Sequence, residues 1–233
     1  MRNQSVLPID IRDASFDEFV RFLFDRGVPA EDQSLVALYA RGETEKWRPW
    51  YFQTEVLFDS RKASQHYLRL FRGPKFLLSK FSTAQLDQGF WAIQSRTLDC
   101  SVYELIWDQA LPFDIREELV RSMFYLFREL FFAEPLQESV CMWWDSFCYG
   151  WHCCNRKRER GGEDMSMQDI MFETLSQILA IPSEICHGAA LHGLSHLHHP
   201  KTEALIQRFM NQNPSLSEEW RTVAKAAIRF ELM

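Results

Sequence analysis

The stretch Ile115-Arg-Glu-Glu-Leu-Val-Arg-Ser-Met-Phe-Tyr-Leu-Phe-Arg-Glu-Leu-Phe131 carries two apolar stripes at helical spacing. Ile115, Leu119, Met123, Leu126 and Leu130 make one stripe; Val120, Phe124, Phe127 and Phe131 make the other. Residues three and four apart share a helix face, so a segment apolar on two faces predicts a central helix packed on both sides. Glu117 and Arg121, four apart, mark what remains of a wet face. An all-α fold built around this helix is the expectation.

The neighbouring segments agree. Phe16, Phe19, Val20, Leu23 and Phe24 form a stripe at i, i+3, i+4, i+7 and i+8. Helix starts are marked by Ser15/Glu18, Ser82/Gln85, Ser101/Glu104 and Ser215/Glu218, with Asp114/Glu117 as a variant. At that spacing each side chain can satisfy a backbone N–H that the helix leaves open at the other. Stops are marked by Gly27 before Pro29, by Gly42, and by Gly73 before Pro74. Each follows an arginine and suits the left-handed conformation past a helix end. Pro29, Pro49, Pro74, Pro112, Pro135, Pro182, Pro200 and Pro214 cut the chain into pieces of helical length, as antiparallel helix pairs require. Trp50 to Phe58 has the composition of a strand, but its setting favours helix, and no strand is predicted.

Composition narrows the class. The 233 residues are 46% hydrophobic, which excludes disorder and allows one large domain or two small ones. Nine glycines, about 4% against a usual value of about 7%, leave no glycine-rich phosphate cradle. A net charge of -6 argues against nucleic-acid and anionic-membrane partners. Met1 to Pro8 lacks the apolar core of a secretory signal, and no apolar run reaches the roughly 18–20 residues of a membrane span. A cytoplasmic location follows as an expectation, with Cys100, Cys141, Cys148, Cys153, Cys154 and Cys186 reduced and mostly buried. One domain, 1–233, is expected. The charged stretch 155–165, carrying Gly161-Gly162, reads as an exposed loop and preferred nicking site joining possible sub-layers 1–154 and 166–233.

Ala189-Ala190-Leu191, Leu194 and Leu197, with Pro200 in the turn and Leu205-Ile206 opening the next apolar face, resemble the second helix and turn of a HEAT-like repeat within residues 183–212. Upstream the proline-marked pairs vary in length, a departure from a strict repeat. The resemblance implies an irregular, α-solenoid-like layering of antiparallel helix pairs. It implies no activity, because such layers serve mostly as binding surfaces.

Chemistry is concentrated in His187, His192, His196, His198 and His199. On a helix, His192 and His196 lie one turn apart and opposite Ala190, Leu194 and Leu197, where two imidazoles can face one metal ion. A third ligand would come from His199, or from Cys153, Cys154 or Asp164. Against a metal stand the missing glutamate of H-E-x-x-H and a ligand count short of three or four. Gly193-Leu-Ser-His-Leu197 lacks the last glycine of a nucleophile elbow, and Ser195 and His196, as neighbours on a helix, diverge by about 100°. Cys153-Cys154 beside His152 makes no catalytic pair by adjacency alone. No catalytic residue and no cofactor is therefore predicted.

Trp143, Phe147 and Trp151 form a core stripe, whereas Trp144 and Asp145 on adjoining faces, with Arg156 and Arg158 of the basic run, are the candidate contacts for a partner. The preferred expectation is a non-enzymatic interaction module whose partner is another protein. The alternatives are a metal-binding enzyme or sensor using His192, His196 and His199, and a small-molecule binder with a pocket lined by Phe and Trp.

Overall fold

The computed structural model describes residues 7–28, 49–52, 54–133 and 136–232, and the expectations placed on Met1–Val6, Pro29, Gly42 and Pro135 lie outside them. Among the described residues the order is β1 (Ile9–Asp10), α1 (Phe16–Phe24), β2 (Val56–Leu57), α2 (Ser60–Arg72), α3 (Thr83–Gln94), α4 (Val102–Trp107), α5 (Phe113–Leu126), α6 (Gln137–Cys141), α7 (Trp143–His152), α8 (Gly162–Leu179), α9 (Glu184–Leu197), α10 (Thr202–Gln212) and α11 (Glu218–Ile228). The chain is all-α. No described helix is long and apolar enough to cross a membrane.

Local sequence explains most boundaries. Ser15 with Glu18 and Ser82 with Gln85 close reciprocal capping boxes on α1 and α3, and Ser101 accepts from the Glu104 N–H on α4. Two starts shift: α11 is capped by Ser217 rather than Ser215, and α5 follows Pro112 with Asp114 already in its first turn. Gly73 has φ −144°, and the described glycines with positive φ are Gly161 and Gly162, so neither Gly27 nor Gly73 supplies a left-handed stop. Pro74, which cannot donate to the preceding turn, leads instead into a 3-10 segment, Pro74–Ser79. Trp50–Phe58 is not helical throughout: a 3-10 turn, Trp50–Phe52, precedes β2, which pairs in parallel with β1.

The two-striped segment is central, packing against α2 on one side and α8 on the other. Its α-helical part ends at Leu126, and a π-turn, Phe127–Phe131, follows, closed by the Phe132 N–H donating to the Phe127 carbonyl at 2.9 Å. The wider turn buries Phe127, Leu130 and Phe131 together while Arg128 and Glu129 pair nearer the surface. Against it sits Trp143, whose ring meets Phe71, Phe90 and Phe131 edge-on at 6.0, 6.0 and 5.8 Å. The Trp143 indole N–H donates to Met123 Sδ at 3.3 Å.

The stretch expected as a free loop is an ordered connection. A 3-10 turn spans Arg158–Arg160, and α8 begins at Gly162. The Arg156 guanidinium lies 3.2 Å over the Trp107 ring and pairs with Asp164 at 2.8 Å, and Arg158 pairs with Asp169 at 2.7 Å. The basic run thus braces the start of α8. The cysteines are all free, but only Cys100, Cys148 and Cys186 are buried; Cys141, Cys153 and Cys154 are exposed, which corrects the expectation of mostly buried thiols.

α9 packs most extensively on α7 and then on α8. Gly193 makes this possible. A Cβ there would stand 2.5 Å from Trp144 Cβ and 2.8 Å from Leu175 Cδ2, so only glycine lets the helices come this close. That close approach positions the site.

Candidate metal centre

Asp145, Tyr149 and His152 lie at i, i+4 and i+7 on α7 and so share one of its faces. His192 and His196 share a face of α9. The sequence places that face opposite the buried Ala190, Leu194 and Leu197, and so it is, but it meets α7 rather than water: His196 is only 1% exposed. His196 Nε2 lies 3.0 Å from Asp145 Oδ1 and 2.8 Å from His192 Nε2. The three residues can bring one ligand atom each within 4.8 Å of one another.

The hydrogen bonds assign the protons. His192 Nδ1 lies 3.2 Å from the Cys141 carbonyl, one of those a helix end leaves open, and so it donates to it. Its Nε2 is then a bare lone pair aimed at His196. A metal-bound histidine is oriented in this way, its outer N–H held by a carbonyl. Without metal, His196 donates from Nε2, and its buried Nδ1 has no partner.

The charges fit as well. Burial pushes the Asp145 carboxyl up, but the hydrogen bond from His196 and the charges of His196, His192 and Arg96 outweigh it and hold the group below its ordinary value. Burial, reinforced by His196, holds His192 below the usual imidazole value. The set is therefore one carboxylate with a neutral His192 donor, forms in which a divalent ion is bound without first removing a proton from either group. Two imidazole nitrogens on a tetrahedral ion are roughly 3.4 Å apart, so small side-chain rotations admit one. Two histidines and one carboxylate leave a coordination position for water or an added ligand, where the ion would act as a Lewis acid.

The remaining candidates lie elsewhere. His199 is not part of the set: its Nε2 donates to Asp169 at 2.8 Å, its Nδ1 accepts from the Lys201 N–H at 3.2 Å, and its ring stacks on Phe172 at 4.0 Å. With both nitrogens engaged, it yields the third position to Asp145. Asp164 is paired with Arg156, and Cys153 and Cys154 stand exposed beyond the end of α7. Of the four partner-contact candidates, Trp144 is fully buried, Asp145 faces the histidines, and Arg156 and Arg158 are engaged by Asp164 and Asp169. Most large aromatics fill the core, and the aromatic pocket reduces to an open cleft of about 650 Å³ with His187, Phe209 and Trp220 among its walls. Asp145 as a ligand escaped the sequence reading. Its only signal is the i, i+4, i+7 spacing with Tyr149 and His152. No protein family, curated protein or solved structure matches the chain.

Proposed function

We propose that this protein binds a divalent transition-metal ion through Asp145, His192 and His196, with the helical layers as its rigid frame. The observation that carries the reading is the His192 ring: its Nδ1–H is committed to the Cys141 carbonyl, leaving Nε2 free and aimed at the atoms His196 and Asp145 also present. Imidazole and carboxylate together favour zinc, cobalt, nickel, copper or iron over calcium or magnesium. The frame is read as HEAT-like from α8 to α11, which the small residues Ala189, Ala190 and Gly193 support by allowing close helix contact.

Tag-free protein, stripped with a chelator and titrated with Zn²⁺, is expected to hold one ion in a tight site and to melt at a higher temperature when loaded. Asp145→Ala, His192→Ala and His196→Ala should each weaken that site by about tenfold or more, whereas His199→Ala leaves it unchanged. Wild-type affinity in Asp145→Ala and His196→Ala overturns the proposal.

A further inference from the structure

Four imidazoles run in file from the α7–α9 seam to the surface. His192 and His196 face each other through Nε2 at 2.8 Å; His196 and His152 meet at right angles with centroids 4.8 Å apart; His152 Nδ1 faces His198 Nε2 at 3.3 Å. Exposure rises along the file: His196 is buried, His152 half-buried and His198 exposed.

The backbone around the last pair is unusual. Among the described residues, positive φ at a non-glycine position occurs at Cys154, His198 and Phe230. Cys154 follows His152 by two residues, and Phe230 stacks on His198 at 4.2 Å. His198 takes up the left-handed position after α9, which glycine would occupy at lower cost, while Gln168 holds the Leu197 carbonyl beside it at 2.8 Å. Strain of this kind gathers at functional sites.

We propose that His152 and His198 form an outer, two-imidazole station that binds a divalent transition-metal ion weakly and hands it to Asp145, His192 and His196. The proposal rests on the metal-binding reading above. The 3.3 Å between the outer nitrogens is close to the roughly 3.4 Å of two imidazoles on a tetrahedral ion. Two neutral ligands hold an ion less firmly than two imidazoles and a carboxylate, so transfer runs inward. The bonds from the ion to His198 and His152 break as bonds to His196, His192 and Asp145 form, and no electron is transferred. His196 gives up its Nε2 proton to water and takes one back on Nδ1, so the ring stays neutral. Since Nδ1 is without a partner before the exchange, no further orphan group is created.

The test uses the tag-free full chain, Zn²⁺ in competition with a chelating dye, and Co²⁺ uptake followed by stopped-flow absorbance. His198→Gly removes the imidazole and supplies the residue easiest in that backbone conformation; His152→Gln removes the other half. The wild type is expected to show a tight and a weak class of site. Each variant should lose the weak class, keep the tight class within about threefold, and load it about tenfold more slowly. His198→Gly should also unfold in urea no earlier than the wild type; if it does unfold earlier, His152→Gln carries the test alone. A wild type with the tight class only, or variants that load at the wild-type rate, overturns the outer station and leaves the inner site standing. Absence of any metal binding overturns both.

Discussion

Gly193→Ala and Gly188→Ala place the same methyl group in the same helix, α9, and should act in opposite directions. Either change should favour the helix by about 1 kcal/mol, since alanine loses less backbone freedom than glycine. At Gly188 the new Cβ would lie 3.5 Å from the Trp220 ring, ordinary contact, so the gain is kept. At Gly193 it would lie 2.5 Å from Trp144 Cβ and 2.8 Å from Leu175 Cδ2. Leu175 can rotate away, but Trp144 Cβ is fixed to the backbone of α7, so the helices must part. Overpacking of this kind costs about 1–3 kcal/mol; with the upper value and the helix gain subtracted, Gly193→Ala loses about 2 kcal/mol. Urea unfolding followed by far-ultraviolet circular dichroism measures both variants, and Zn²⁺ titration adds a second readout, because parting α7 from α9 moves Asp145 away from His192 and His196. A Gly193→Ala chain as stable as Gly188→Ala, with wild-type zinc affinity, would refute the close-approach argument.

Asp169→Ala leaves the buried His199 Nε2–H without its acceptor and should cost about 1–3 kcal/mol in urea unfolding without changing zinc affinity; a loss of zinc affinity would return His199 to the ligand set. Burial holds His66 and His187, both away from the metal ligands, below the ordinary imidazole value of 6.5. An unfolded chain then binds protons first, so their contribution is complete above the unfolded value and is lost as pH falls through the folded ones; the metal-free melting temperature should drop between about pH 7 and 5, and a rise there would contradict the sign. Burial pushes the Cys100 thiol up to about 12 and Cys148 far above its usual value. A thiol reagent should label Cys153 and Cys154 first, Cys141 more slowly, and Cys100, Cys148 and Cys186 only on unfolding; prompt labelling of all six would show the core to be open.

What the sequence disclosed follows from the range of its signals. The α5 stripes and the pairing of His192 with His196 are patterns within one helix, so spacing reveals them. Asp145 meets His196 only because Gly193 draws two helices together, and no local pattern encodes that meeting. His199 follows His198 directly and looks available, yet the left-handed turn at His198 directs it to Asp169; glycine would have advertised that turn, and histidine conceals it. Trp144 reads as a flank of the Trp143–Trp151 stripe, but α9 covers that flank and buries it. The basic run displays charge without displaying partners: Asp164 and Asp169 lie along α8, and Trp107 comes from α4. The β1–β2 pair, two residues on each side, is too short for alternation to register.

The π-turn at Phe127–Phe131 has a hereditary consequence. Such a turn is an α-helix holding one residue more than its hydrogen-bond ladder needs. Removing a residue there would restore the ordinary ladder but turn everything after it by about 100°. Phe132, now 51% exposed, would advance toward the place of Phe131, and Trp143 would lose the ring that meets it at 5.8 Å. Length at this point and the identity of residue 143 are thus joined: a descendant shortened by one residue between 127 and 131 would have to alter its tryptophan as well, or lose the contact on which the two halves of its core depend.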